Sequence, residues 1–197
     1  MRQRMMVLLL VFICLPIFAL ALGPVASTSE RSAPATFRVE TGGTTVLVDA
    51  YLASLREGES YLPLHVAIGV GGRGARLLLT RESFSIVDAQ GAVYPLATYE
   101  EIAQDYRKAS FDRKLLELHP MAVGNVFSTS SVISSFFFPA LADRALRVDR
   151  VDLGRFTWFH DLLYFPRPLI VPGSILTLRI EGAGEDRALE VKFCVPE

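Results

Sequence analysis

The sequence predicts a mainly β domain, an antiparallel β-sandwich with a short helical insertion. From Phe37 onward, apolar residues recur with a period of two in roughly seven to nine short segments separated by turn residues. Helical spacing interrupts this pattern only at about 98–118. No internal repeat or second linker is present, so the pattern indicates one domain.

The first 22 residues have the order of a secretory signal peptide. A basic start, Met1-Arg-Gln-Arg4, precedes the uncharged apolar run MMVLLLVFICLPIFALAL at 5–22. Ala19-Leu-Ala21 offers a small-residue cleavage site, and Val25-Ala-Ser27 offers a second one. The competing interpretation is an uncleaved anchor, because eighteen apolar residues approach the length that spans a bilayer. We expect export to the periplasm or beyond in a bacterium, with membrane contact only through 5–22 if that run is retained.

A flexible lead-in is predicted over 23–35, which is small, polar and proline-containing, and the β-sandwich domain over 36–197. The 20 basic and 21 acidic residues nearly balance, and losing Arg2 and Arg4 with the signal makes the remainder slightly more acidic. This charge argues against binding to nucleic acid. Only Cys194 would remain after cleavage, so no intrachain disulfide is predicted.

The best strand of the first half is YLPLHVAIGV at 61–70. Its alternation predicts a half-buried strand, with His65 on the face opposite the leucines. ARLLLT follows a glycine cluster, and SFSIVDAQGAVYPL at 83–96 predicts a hairpin around the turn Asp88-Ala-Gln-Gly91.

The helical insertion begins with a capping box, Thr98-Tyr-Glu-Glu101. Tyr99, Ile102 and Tyr106 follow at helical spacing, and a second short helix is predicted over FDRKLLEL. We expect the insertion to lie across the aromatic stretch described below, together with Phe136–Phe138.

Strand character returns in SVISSFFFP at 131–139 and RALRVDRVDL at 144–153. SILTLRIEG and RALEVKFCV, separated by the polar loop 182–186, predict a C-terminal hairpin.

Two stretches, PLHVAIGV and LTRESFSIVDAQGAVYPL, resemble the central strands of immunoglobulin-like modules of exported bacterial proteins of unknown function. The similarity lies within residues 62–96, where an apolar strand precedes a hairpin with an Asp-x-x-Gly turn. The resemblance implies an immunoglobulin-like β-sandwich and identifies no functional residue.

The candidate interaction patch lies in RFTWFHDLLYFPRP at 155–168, which has five aromatic residues in fourteen positions. The preferred interpretation of this stretch is core packing, and Asp161 is expected to begin a turn or cap a short helix. The alternatives are contact with a membrane or an exposed patch that binds a protein or an apolar ligand. The residues of that patch would be Trp158, Phe159, His160, Leu163, Tyr164 and Phe165.

Catalytic readings find little support in the sequence. Gly69, Gly71 and Gly74 fit G-x-G-x-x-G, but a β-type run follows where dinucleotide binding needs a helix. His160 and Asp161 are neighbours, which would point to opposite faces of a strand, and no G-x-S-x-G nucleophile elbow occurs.

The sequence therefore predicts an exported, non-catalytic interaction or accessory module with an unknown partner. No catalytic, cofactor-binding or metal-binding residue is assigned, and no cofactor is expected. One alternative is a periplasmic metal-handling protein, in which the dispersed histidines His65, His119 and His160 meet in space. The other alternative is an unrecognised hydrolase.

Overall fold

The computed structural model describes residues 30–33, 35–72, 76–118, 131–132, 150–170, 173–182 and 188–196. The described chain is mainly β, as the sequence predicts, and is consistent with a β-sandwich. The predicted signal segment 1–22 lies outside the described residues.

The strands are β1 Glu30–Ala33, β2 Thr36–Thr41, β3 Thr44–Asp49, β4 Tyr61–Val70, β5 Leu77–Thr80, β6 Phe84–Val87, β7 Val93–Pro95, β8 Ser131–Val132, β9 Arg150–Leu153, β10 Thr157–Pro166, β11 Leu176–Ile180 and β12 Leu189–Phe193. The helices are α1 Tyr51–Ser54, α2 Tyr99–Asp105 and α3 Ala109–Leu118, with a 3₁₀ turn at Arg81–Ser83.

Three sheets contain these strands. The largest has the order β1-β2-β3-β4-β10-β8, the second β12-β11-β6-β7, and the third pairs β5 with β9. Pairing is antiparallel except between β10 and the two-residue β8. Aromatic side chains join the two larger sheets: Phe37 lies 6.3 Å from Phe193, and Phe84 lies 6.4 Å from Phe159, between ring centroids. The face of the six-stranded sheet that meets the second sheet is called the inner face below, and its opposite the outer face.

Strand β4 is buried along its whole length, which corrects the prediction of a half-buried strand. It is a central strand, paired with β3 on one side and β10 on the other. Leu62, Leu64 and Val66 belong to the inner face. On the outer face, Tyr61 packs against Tyr106, at 5.8 Å between ring centroids. The helical insertion therefore covers a face that the alternation of apolar and polar residues assigns to solvent.

The helical insertion predicted near 98–118 is present as α2 and α3. The capping box is confirmed: the Glu101 N–H donates to Thr98 Oγ1 over 3.2 Å, and the Thr98 N–H donates to Glu101 Oε2 over 2.6 Å. Tyr106 then packs on Tyr164 of β10, at 5.3 Å between ring centroids, so the insertion does contact the aromatic stretch. Phe136–Phe138 lie outside the described residues.

Both predicted hairpins form. In the β6–β7 turn, Asp88 Oδ1 accepts the N–H groups of Gln90 and Ala92, at 2.9 and 2.8 Å. Strands β11 and β12 pair antiparallel over their full lengths. Of the predicted strand at 144–153, residues 150–153 form β9, and Asp152 on this strand pairs with Arg76.

Two further sequence predictions need correction. Residues 30–33 of the predicted flexible lead-in form β1, because an extended segment can pair with the open edge of β2 whatever its side-chain pattern. The segment DLLYF, expected to hold a turn or a short helix, lies inside β10, where pairing with β4 extends from Thr157 to Pro166.

The turn between β2 and β3 needs glycine for two reasons. Gly42 and Gly43 have φ values of 57° and 81°, in the left-handed region that suits a tight hairpin. A Cβ atom on Gly43 would also lie 2.7 Å from the Cα of Gly72, so the turn and the end of β4 can approach only without a side chain.

No helix among the described residues has the length and apolarity to cross a bilayer.

Candidate functional site

The residues of the predicted interaction patch are placed by the position of β10 in its sheet. β10 lies between β4 and β8, and both of its faces are covered. Trp158 is 9% exposed and His160 is half-buried. The remaining patch residues are completely buried: Phe159, Leu163, Tyr164 and Phe165. Apart from the exposed Arg155 and Phe156 at its start, the stretch is therefore mostly core, the interpretation that the sequence favoured, and five of the six patch side chains offer no surface for a partner.

The outer face brings together two of the three histidines. His65 on β4 and His160 on β10 are diagonal neighbours, and His65 Nε2 lies 3.1 Å from His160 Nδ1. Trp158 stacks on His160, with ring centroids 5.2 Å apart and an angle of 22° between the planes. Because His160 and the adjacent Asp161 alternate along β10, the carboxylate belongs to the inner face and the two cannot form a dyad.

Burial keeps this histidine pair neutral. His65 is 4% exposed, and burial, reinforced by the nearby His160, lowers its pKa to about 3. Burial also lowers the pKa of His160. The 3.1 Å contact is thus a hydrogen bond between two neutral rings, in which one ring donates its N–H and the other accepts.

The histidine pair falls short of a complete metal site. Protein zinc and copper sites use three or four side-chain ligands. Among the described residues, no group of three or more His, Cys, Asp or Glu side chains could hold an ion. His119 lies outside the described residues, and Cys194 packs half-buried against the core.

A second polar cluster, which the sequence analysis missed, fixes α3 to the sheet. Arg56 Nε donates to Asp112 Oδ1 over 2.7 Å; the Asp112 side chain is completely buried, and the Arg56 side chain is 8% exposed. The hydroxyl groups of Tyr106 and Tyr164 reach Asp112 Oδ2 at 2.6 and 3.4 Å. Burial raises the pKa of Asp112, against the opposing effect of these donors. The signal that could have revealed the cluster is Asp112 itself, which stands on the apolar side of α3 three residues after the buried Ala109.

An exposed apolar surface lies on the outside of the helices. Phe111 and Leu118 on α3 are 57% and 73% exposed, and Tyr51 and Leu55 at α1 are 38% and 44% exposed. The two helices contact one another, and the Arg56 guanidinium carbon lies 5.6 Å from the centre of the Phe111 ring. These four residues, Tyr51, Leu55, Phe111 and Leu118, are called the helical surface below.

A small cleft opens beside the helical surface and reaches the histidine pair. Its lining consists of Asp49, Tyr51, Leu52, His65, Leu115 and Leu116. Its volume of about 10 Å³ has room for one water-sized group. Asp49 Oδ1 accepts the Tyr51 N–H over 2.8 Å, and burial raises the pKa of Asp49.

No protein-family model, curated protein or solved structure matches the chain.

Proposed function

We propose that the chain is an exported, non-catalytic interaction module that binds a protein partner through the helical surface. The observation that carries the proposal is the exposure of four large apolar side chains on α3 and on α1 with its C-terminal cap, two helices that contact one another. Apolar side chains that cluster at a surface commonly mark an interaction site, whereas scattered ones need no explanation. Aromatic residues such as Tyr51 and Phe111 are also enriched among the residues that dominate interface energies.

The fold proposed for this module is an immunoglobulin-like β-sandwich. The resemblance at 62–96 supports it, and so do the antiparallel β6–β7 hairpin and the packing of the two larger sheets across one core. In such sandwiches the sheets form a scaffold, and binding residues commonly lie on the connections between strands. Here the helical surface is carried by two such connections, the segment between β3 and β4 and the one after β7.

The proposed location is the periplasm or the extracellular space of a bacterium, on the basis of the N-terminal segment. Fractionation of the native host followed by mass spectrometry of the N-terminus tests it. We expect a mature chain that begins after Ala21 or after Ser27 in the exported fraction. An intact Met1 in the cytoplasm would overturn the export proposal, and an intact Met1 in the membrane fraction would support the anchor instead.

Photo-crosslinking in the native host tests the binding surface. A photoreactive phenylalanine analogue at Phe111 or Leu118 should give a discrete adduct with a partner. Val93 on β7 is the matched control, because it is 59% exposed and apolar but lies outside the helical surface. Leu55→Ser should reduce the yield from Phe111. The proposal fails if Phe111 gives no adduct, or if Val93 gives the same adduct in equal yield.

Metal handling is the second candidate, supported by the 3.1 Å contact between His65 and His160. On this reading, protein purified without an affinity tag carries a stoichiometric copper or zinc ion, and His160→Gln loses it. Protein that elemental analysis finds free of metal after growth in copper- and zinc-replete medium would eliminate this candidate.

A further inference from the structure

The cleft beside the helical surface is lined by one carboxylate side chain and one histidine side chain. Asp49 and His65 face one another across the β3–β4 pairing, and both line the cleft. The remaining walls are the side chains of Tyr51, Leu52, Leu115 and Leu116. The lining therefore combines the polar side chains of Asp49 and His65 with apolar leucine side chains.

Asp49 has no cationic partner among the described residues. Its two hydrogen-bond donors, the Tyr51 N–H at 2.8 Å and the Thr36 hydroxyl at 3.4 Å, are both neutral. The other buried carboxylate of this region, Asp112, is paired with Arg56. Because a partly buried carboxylate loses hydration that neutral donors replace only in part, Asp49 would be stabilised by a cation in the cleft.

His65 supplies the second acceptor. Its Nε2 is engaged with His160, whereas its buried Nδ1 has no hydrogen-bond partner among the residues that the structure describes. A neutral imidazole that carries its proton on Nε2 donates to His160 Nδ1 and leaves the lone pair of Nδ1 as an acceptor. The neutral state also avoids repulsion between His65 and an incoming cation.

We propose that the cleft receives the side-chain ammonium of a lysine of the partner protein. This inference rests on the proposed function, since it adds the chemistry of one partner residue to the helical surface. The ammonium donates to the Asp49 carboxylate and to His65 Nδ1, while its methylene stem lies along Leu52, Leu115 and Leu116. The cleft selects lysine over arginine, because it has room for a compact ammonium and none for a planar guanidinium.

Three small probes with the same side-chain carbon skeleton test this chemistry by NMR. Nα-acetyl-lysine N-methylamide carries only the side-chain ammonium, norleucine N-methylamide carries only the α-ammonium, and Nα-acetyl-norleucine N-methylamide carries neither. We expect the first to shift the His65 ring and Leu115 methyl signals saturably, with a dissociation constant on the order of 1–10 mM. The uncharged probe should give no saturable shift. If it gives shifts equal to those of the lysine probe, or if the α-ammonium probe binds more tightly, the inference is overturned.

Two variants and one control show whether binding occurs in the cleft. Asp49→Asn removes the charge and should weaken binding of the lysine probe at least tenfold. Leu115→Phe should block the cleft and abolish binding while leaving Asp49 in place. Asp105→Asn removes an exposed carboxylate on α2 and should change nothing. Binding retained in a folded Asp49→Asn or Leu115→Phe variant, as judged by its NMR spectrum, overturns the inference.

The crosslinking experiment separates this inference from the proposed function. If the Phe111 adduct forms but the lysine probe does not bind, the proposed function stands and only the lysine site is overturned. Loss of the Phe111 adduct overturns the proposed function and, with it, the assignment of the ammonium to a protein partner.

Discussion

At the scale of single residues, the buried pair of Arg56 and Asp112 should matter far more than the exposed ion pairs. Removing one member of a buried pair leaves the other charge without a partner, which costs about 3–5 kcal/mol. We therefore expect Arg56→Met to lower the free energy of unfolding by about that amount. Adding Asp112→Asn should restore part of the loss, because the amide is neutral and its oxygen still accepts the Tyr106 hydroxyl. Urea unfolding of the two variants measures both effects.

The matched control for this pair is Lys108, whose ammonium pairs with Glu59 at the surface. Lys108→Met should cost less than about 1 kcal/mol, since solvent screens an exposed pair. An Arg56→Met/Asp112→Asn double variant that is no more stable than Arg56→Met would contradict the account of an unpaired buried charge.

The histidine pair makes the stability of the protein depend on pH. His65 has a folded-state pKa of about 3, below its unfolded value near 6.5, so the unfolded state binds a proton that the folded state excludes. Its contribution to stability is complete above pH 6.5 and is lost as the pH falls towards 3, at about 1.4 kcal/mol per pH unit. The pKa values of Asp49 and Asp112 are raised in the folded protein, so the folded state binds their protons more readily than the unfolded state does. Below these raised pKa values, their protonation therefore stabilises the fold as the pH falls, which opposes the effect of His65.

Comparison with His65→Gln isolates this effect, because the carboxylates contribute equally to both proteins. We expect the free energy of unfolding of the wild-type protein to fall more steeply between pH 6.5 and 4.5 than that of the variant. Denaturant unfolding at a series of pH values measures the two slopes. Equal slopes would mean that His65 titrates in the folded protein near its ordinary pKa.

At the scale of elements, the turn that leads into β10 stores backbone strain. Phe156 has φ 63°, in the left-handed region, and the residue is 43% exposed. The turn holds because the Phe156 N–H donates to the Val70 carbonyl over 2.7 Å and Gly154 exchanges hydrogen bonds with Thr157. Phe156→Gly should relieve the strain and raise the free energy of unfolding by about 0.5–1 kcal/mol. Thermal or urea unfolding checks the direction.

The opposite sign is expected for the same substitution in a helix. Phe111 is also an exposed phenylalanine, but it has helical geometry in α3, so Phe111→Gly should lower stability by about 0.5–1 kcal/mol. If Phe156→Gly were as destabilising as Phe111→Gly, the contact of Phe156 with Arg155 would outweigh the backbone strain.

Local elements could be predicted from the sequence where neighbouring residues decide them. Thr98 and Glu101 form their capping box within four positions, and Asp88 closes its turn through N–H groups two and four residues away. The helical surface could not be recognised in the same way. Phe111 and Leu118 are as apolar as Leu115 and Leu116, which pack against the core, and only tertiary packing decides which of these side chains face solvent.

At the scale of the whole molecule, the pairing of strands that are distant in the sequence determines which residues are neighbours, and the sequence pattern does not predict that pairing. His65 and His160 are 95 positions apart and meet because β4 pairs with β10. A period of two shows that each segment is a strand, but it does not say which strands are neighbours or whether a second layer covers the outer face. For that reason the sequence could place Trp158 and His160 on one face of β10 but not His65 beside them.

The described domain should unfold as one unit. A single hydrophobic cluster contains residues of both larger sheets, of the β5–β9 pair and of the helical insertion. The only tryptophan, Trp158, is 9% exposed and lies on a central strand. We therefore expect blue-shifted emission that acrylamide quenches poorly, and an unfolding transition by fluorescence that coincides with the transition by circular dichroism. Trp158→Ala should cost about 3–5 kcal/mol. A fluorescence transition at lower denaturant than the circular dichroism transition would show instead that the outer face opens before the sheets separate.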